Sequence, residues 1–284
     1  MLKKIILISA LICMIVLLIF VQIGKYTTIS NIVKCADYDH PDDAITAIGA
    51  SNKTLLVTES ETCDNDFTVP ANVTVKFERG GKWTINDGIT VTFNGQIEAG
   101  LWQVFEYLVT GTLAGTPIIK EVFPQQWATG DGTAENPWTN DCIQKAYDFV
   151  PTGGTIFLKA GYYQLAGQLT INKKVNIIGE GIDKTFIMTA NTNGIYLEVD
   201  SSYSTLKDFT VDGDAQTDGT GSCIVVKYAN YLLLENIKIK NAGYYGMDNK
   251  GSYCIYKNIY AVDNYRHGIH PCLLYTSPSP RDRS

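Results

Sequence analysis

The sequence predicts an all-β fold in which short strands wind into a parallel solenoid. Three observations carry that expectation. Glycine (25) and tyrosine (17) are plentiful among 284 residues, and long runs of Ala, Leu, Glu and Lys are missing, which favours strands and turns over helices. Short segments alternate apolar with polar residues, the period of a half-buried strand. These segments recur at near-regular spacing, as units do that bury their apolar faces only by stacking.

At the N-terminus, Lys3 and Lys4 precede an uncharged stretch, 5–23, in which only Ser9 and Gln22 are clearly polar. At about 1.5 Å rise per residue it reaches roughly 30 Å, enough to cross a bilayer core. Residues 1–24 therefore read as a signal anchor or a signal peptide. The anchor is preferred because the apolar run is long and no small-x-small cleavage site follows closely. Either reading places everything after Lys25 outside the cytoplasm, in an extracellular or cell-surface protein. Ile12 before Cys13 argues against a lipid anchor.

Residues 25–120 read as an accessory β-solenoid. FTVPANVTVKF, from Phe67, is answered sixteen residues later by WTINDGITVTF, from Trp83. That alignment pairs Phe67 with Trp83, Val69 with Ile85, Val75 with Val91 and Phe77 with Phe93, and predicts units stacked at that period. Cys35 and Cys63 are the plausible disulfide outside the cell, with two free thiols an equal alternative.

TNDCIQKAYDFVP is the one convincing helix. Thr139 or Asn140 can cap it, Ile143, Ala146, Tyr147 and Val150 share a face, and Pro151 follows its end. A short amphipathic helix here would close the open apolar end of a solenoid.

The second repeat is longer. LKDFTV from Leu206, LENIKI from Leu234 and YKNIYA from Tyr256 align, and Ile195, Ile224, Met247 and Ile269 form a parallel inward series. The period settles near 22 residues, with loops inserted at one corner. Asp208, Asn236 and Asn258 fall in one column, where amides in tight turns can bond the amide above. That column is expected to be structural.

The segment 121–181 adds a resemblance. A G-D-G turn (Gly130, Asp131, Gly132), a helix, G-G-T-I-F-L (Gly153 to Leu158), a G-x-Y strand start (Gly161, Tyr163) and a closing I-x-G-x-G together resemble the opening of the pectate lyase superfamily domain, as found in rhamnogalacturonase/epimerase-like proteins and phage tail spikes. The resemblance implies a right-handed parallel β-helix with one N-terminal capping helix, spanning 121–271 and incomplete there. The family includes hydrolases, lyases, epimerases and non-catalytic proteins, so the fold alone does not choose an activity. Asp131 sits in a turn feeding the helix and is given no catalytic role.

The formal net charge of −6 makes nucleic acid an improbable partner. No P-loop, GxSxG, HExxH or dinucleotide fingerprint is present. No cofactor is implied, although calcium could be held by Asp212, Asp214 and Asp218 on an inserted corner that lacks EF-hand spacing. Tyrosines at 228, 231, 244, 245, 260 and 265 offer rings for sugar stacking.

With Ile195, Ile224, Met247 and Ile269 inward, the next residues, Tyr196, Val225, Asp248 and His270, face outward. The column two further on is Glu198, Lys227 and Lys250. Coils are about 4.8 Å apart, so Asp248 and His270 become neighbours and candidate acid/base partners, as do Glu198 and Lys227 for ligand contact. The expected function is polysaccharide binding or processing on this face, by a polysaccharide lyase or glycoside hydrolase if catalytic. The alternative is a non-catalytic surface adhesion or structural β-helix, including a tail-spike-like protein.

At the other end, CLLYTSPSPRD (Cys272 to Asp282) breaks every repeat and resembles the translation of a transposase adapter used in sequencing libraries. Residues 272–284 are accordingly expected to be adapter-derived, with natural coils continuing past Pro271.

Overall fold

The computed structural model describes residues 31–139, 141–189, 192–213 and 219–270. The expected membrane segment 5–23, the tail from 272, and Asp214 and Asp218 lie outside the described residues. No helix among the described residues is long and apolar enough to cross a membrane.

The regular structure of the described chain is mostly β, arranged in parallel sheets with only two α-helices. It returns beside itself once per coil. Trp83 pairs with Phe105, Thr90 with Thr112, Leu234 with Tyr256 and Met247 with Ile269, each 22 residues on. The turns are longer where loops are inserted, as between Ile195 and Ile224 or Leu206 and Leu234. These pairings reproduce the register expected for the second repeat, an arrangement that fits a β-helix.

The sixteen-residue register does not survive. Phe67 pairs with Val91, not Trp83, and Val75 pairs with Leu55 and Ile97, so the N-terminal coils take 20 to 24 residues. The likeness has another origin. Phe67–Val69 and Val73–Phe77 lead round one corner of the coil, while Lys82–Ile85 and Thr90–Phe93 lead round a different one. Every corner joins two strands under the same inward-apolar rule, so successive corners resemble each other. Phe67 and Trp83 do meet, edge to face at 5.6 Å, but not as a stacked pair.

Helix α1, Pro41–Ile48, was not expected from the sequence. It buries Ala44, Ile45 and Ile48 against the first strands of the stack. Pro41 in its first turn, Asp42 and Asp43 beside it, and Gly49 at its end are ordinary start and stop signals. Helix α2, Cys142–Phe149, buries the predicted face of Ile143, Ala146 and Tyr147, with Val150 following. Its N-cap is Asp141, at φ 50° and without a side-chain capping bond. Thr139 instead shares a hydrogen bond with Thr129, and Asn140 lies outside the described residues.

Rather than closing a free end, α2 packs between the two parts of the stack, with Phe149 touching Phe93, Phe105 and Trp127 at ring separations of 5.9, 5.9 and 5.4 Å. Backbone bonds run past this point, from Val104 N–H to the Gln126 carbonyl and from Thr155 N–H to that of Lys120.

Cys35 and Cys63 are free, buried thiols. Burial pushes the Cys35 thiol up to about 12 and raises that of Cys63 as well.

The Asp208, Asn236 and Asn258 column is present and self-bonded. Asn236 donates to Asp208 at 2.8 Å, and Asn258 donates to Asn236 at 2.9 Å. All three take left-handed backbone, at φ 62°, 51° and 53°, a conformation that Asn and Asp tolerate best among residues with side chains. Each bends its long strand between two faces of the coil.

Candidate functional site

The site lies on the five-stranded sheet formed by Leu169–Ile171, Ile195–Leu197, Ile224–Val226, Met247–Asn249 and Ile269–His270. Leu169, Ile195, Ile224 and Met247 fill the core beneath it. Tyr196, Val225, Asp248 and His270 then fall in one column on the other face of the sheet, paired as the sequence implied, although Val225 is buried there rather than open to solvent.

Asp248 and His270 are in contact. Nδ1 of His270 lies 3.1 Å from Oδ1 of Asp248, and Nζ of Lys250 lies 3.3 Å from its Oδ2. The Asp248 carboxylate is mostly shielded from solvent, at 16% side-chain exposure, while His270 at 38% remains reachable. A shielded carboxylate with a cation on one oxygen and an imidazole on the other is suited to holding that imidazole in one orientation. Among the described residues nothing hydrogen-bonds the second ring nitrogen of His270.

Three residues upstream of each partner, the chain adds more. Tyr245 lies flat on His270, with rings 4.3 Å apart and 7° from parallel, and the His267 ring lies beyond at 5.8 Å. Tyr244 meets Tyr245 edge-on at 4.2 Å. Arg266 covers Tyr244, with its guanidinium carbon 4.5 Å from the ring centre and Nη1 donating to the phenol oxygen at 3.1 Å. The Tyr244 phenol is pushed above its ordinary value, first by its hydrogen bond with Tyr245 and then by desolvation, against the pull of Arg266.

Gly246 is needed for this approach, since a Cβ there would stand 2.4 Å from the carbonyl oxygen of Gly268. Two short runs, 244–250 and 266–270, therefore sit one above the other and assemble the cluster.

Arg266 and His267 were not singled out from the sequence. The signal existed, because the 22-residue step that links Asp248 to His270 also carries Tyr244 to Arg266 and Tyr245 to His267. The stacking of Tyr245 on His270 runs diagonally between coils and does not follow from alternation.

Other expected residues are placed differently. Lys227 lies over the Tyr196 ring, 5.6 Å from its centre, and its hydrogen bond there raises its pKa. Glu198 occupies the adjacent coil in the same column but does not pair with Lys227. It opens a 3₁₀ turn at Val199–Ser201, and its carbonyl oxygen accepts from Ser201. Asp212 is buried and already engaged, 2.6 Å from Lys240 and accepting from Asn241 at 2.8 Å. Among the described residues no group of three or more His, Cys, Asp and Glu side chains is placed to hold a metal ion.

Of the tyrosines offered for sugar stacking, Tyr231 is sandwiched between Tyr203 and Tyr253, at 4.9 and 5.1 Å, so both its faces are covered. Tyr228, Tyr260 and Tyr265 are exposed away from the cluster's ring contacts.

The chain is similar to three mannuronan C5-epimerases of Azotobacter vinelandii. It is 28% identical to AlgE2 over 149 residues, 28% to AlgE5 over 149 and 30% to AlgE1 over 147. Each match covers 43% of this chain, which spans 14%, 14% and 10% of the respective relatives. No protein-family model and no solved structure matches the chain.

Proposed function

We propose that this chain is a right-handed parallel β-helix of pectate lyase superfamily type that binds an anionic polysaccharide across the Tyr196 to His270 face and moves a proton on the bound sugar. The observation that carries the reading is the Asp248–His270 contact with Tyr245 stacked on the imidazole. The apolar run 5–23 would carry the body to the cell exterior, as an anchor or a signal, and the polysaccharide is met there.

The chemistry follows from the groups present. Mannuronan is by name a polymer of a uronic acid, in which C5 bears both a hydrogen and the carboxyl group. Inverting C5 means removing that proton and returning one to the opposite side. Asp248 holds the Nδ1 side of His270, which leaves Nε2 free to act as a base. Tyr245 brings a second proton carrier to the same place. The substrate carboxylate would need positive charge, and although the chain is acidic overall, Lys250 and Arg266 border the pair and Lys227 lies further along the face.

The test is to incubate the full chain with polymannuronate and, separately, with a neutral glucan, following sugar signals by proton NMR. Inverted or unsaturated residues are expected in the uronate polymer alone, and should vanish with Asp248→Asn or His270→Gln. A wild-type chain that neither binds nor alters the uronate polymer would refute the reading.

A further inference from the structure

Where the two parts of the stack meet, far along the chain from the acid and imidazole column, lies a groove of about 510 Å³ lined by residues that include Trp102, Gln103, Gln125, Thr129, Asp131 and Trp138. Its size falls in the range of small-ligand sites.

Both indole walls are seated on glycines. A Cβ on Gly100 would lie 1.8 Å from the Trp102 ring, and Cβ atoms on Gly132 and Gly161 would lie 2.5 and 2.7 Å from the Trp138 ring. Trp138 is further held by Tyr163, at 4.7 Å between ring centres. The two tryptophans therefore have fixed positions rather than free surface rotamers.

The polar groups beside them are unfinished. The indole N–H of Trp102, the amide nitrogen of Gln103 and the amide oxygen of Gln125 are buried and find no partner among the described residues. Gln125 is only 3% exposed, and its orientation is set, because its amide nitrogen donates to the Tyr163 hydroxyl at 2.7 Å, which in turn donates to the Lys159 carbonyl. Natural interiors rarely leave such groups unmatched, since each forfeits its hydration on burial. Two donors and one acceptor are thus buried unmatched in residues that line a groove with aromatic walls. No lining residue is a cation and one, Asp131, is an acid.

We infer that this groove is a second, separate glycan site, selective for uncharged sugar. Apolar sugar faces stack on indoles and hydroxyl groups answer paired amide donors and acceptors. Asp131 and the missing cations disfavour a uronate, the opposite preference to the Asp248 face. The inference does not depend on catalysis at that face.

Tryptophan emission offers a local readout. Of the four tryptophans, Trp83 and Trp127 are fully buried, so a ligand in the groove reaches only Trp102 and Trp138. The full chain is titrated with cellotetraose, mannotetraose and tetramannuronate. At least one neutral tetraose is expected to change the emission at millimolar concentration, and tetramannuronate to leave it unchanged. Trp102→Phe and Gln103→Met should each weaken the neutral sugar by about tenfold, with Asp248→Asn binding as wild type. Gln103→Met nearly conserves shape and keeps the test valid if Trp102→Phe fails to fold. The proposal is overturned if neither neutral tetraose changes the emission or the amide NMR shifts up to about 10 mM, if Gln103→Met binds as wild type, or if tetramannuronate binds at this groove as well as they do.

Discussion

Asp208, Asn236 and Asn258 stand one above another at the same corner of successive coils, and on the neighbouring sheet Asp248 stands above His270 at the same coil spacing. Both columns arise from one rule, that equivalent positions in stacked coils touch. They differ in what remains after touching. In the first column each asparagine amide donates a hydrogen bond to the side-chain oxygen of the preceding coil, on left-handed backbone that only a few residue types accept. In the second, the backbone is extended, the Tyr245 and His270 rings lie flat on one another, and among the described residues one imidazole nitrogen is left unbonded. A repeat can therefore present polar ladders of similar appearance, and leftover bonding capacity marks the one with chemistry.

The sharpest way to separate the columns is to mutate both. Asp248→Asn or His270→Gln should lower turnover on a uronate polymer by roughly 10²- to 10⁴-fold, the usual range for losing a proton-transfer group. Thermal stability should shift little, because these side chains sit at a partly open surface. Asn236→Ala should do the reverse. It removes two amide bonds and puts alanine at positive φ, costing about 2 kcal/mol in denaturant unfolding with turnover unchanged. Asn236→Gly keeps the backbone comfortable and should cost less.

A pH series sharpens a second contrast, between the reachable imidazole and the sealed thiols. Burial raises the Cys35 thiol to about 12 and the Cys63 thiol too, so the folded state holds these protons more tightly than the unfolded chain does. Their contribution to stability is therefore whole below about pH 8.5 and declines as pH rises toward the folded value. Alkylation of the native protein at pH 8 should spare both cysteines and proceed only on unfolding. Rapid native labelling would show that this end of the stack opens.

The smallest effect is expected at the tyrosine ladder. Tyr231→Ala removes two stacked contacts at an exposed corner, which should cost about 1 kcal/mol or less and leave polymer binding intact. A loss of binding would return the ladder to the ligand surface.

The second repeat was readable from the sequence because inward apolar residues fix register absolutely; a one-residue slip would turn Ile195, Ile224 and Met247 to solvent. From that register the Asp248–His270 contact followed. The N-terminal coils were misread because Phe67 and Trp83 head similar strand pairs at different corners, and local alternation carries no mark of which corner it occupies. Helix α1 was missed although Pro41, the two aspartates and Gly49 announced it. Tyr245 against His270 and the groove between Trp102 and Trp138 depend on how distant segments meet, which no periodicity encodes.

The central claim is that Asp248 and His270 move a proton on a bound sugar. It is tested most directly by incubating the full chain with polymannuronate in deuterium oxide and measuring deuterium at C5. Wild type should introduce deuterium there and His270→Gln should not, with both proteins equally folded. Equal incorporation by the two, or none by a wild-type chain that demonstrably binds the polymer, would contradict the account and leave the column a binding surface without chemistry.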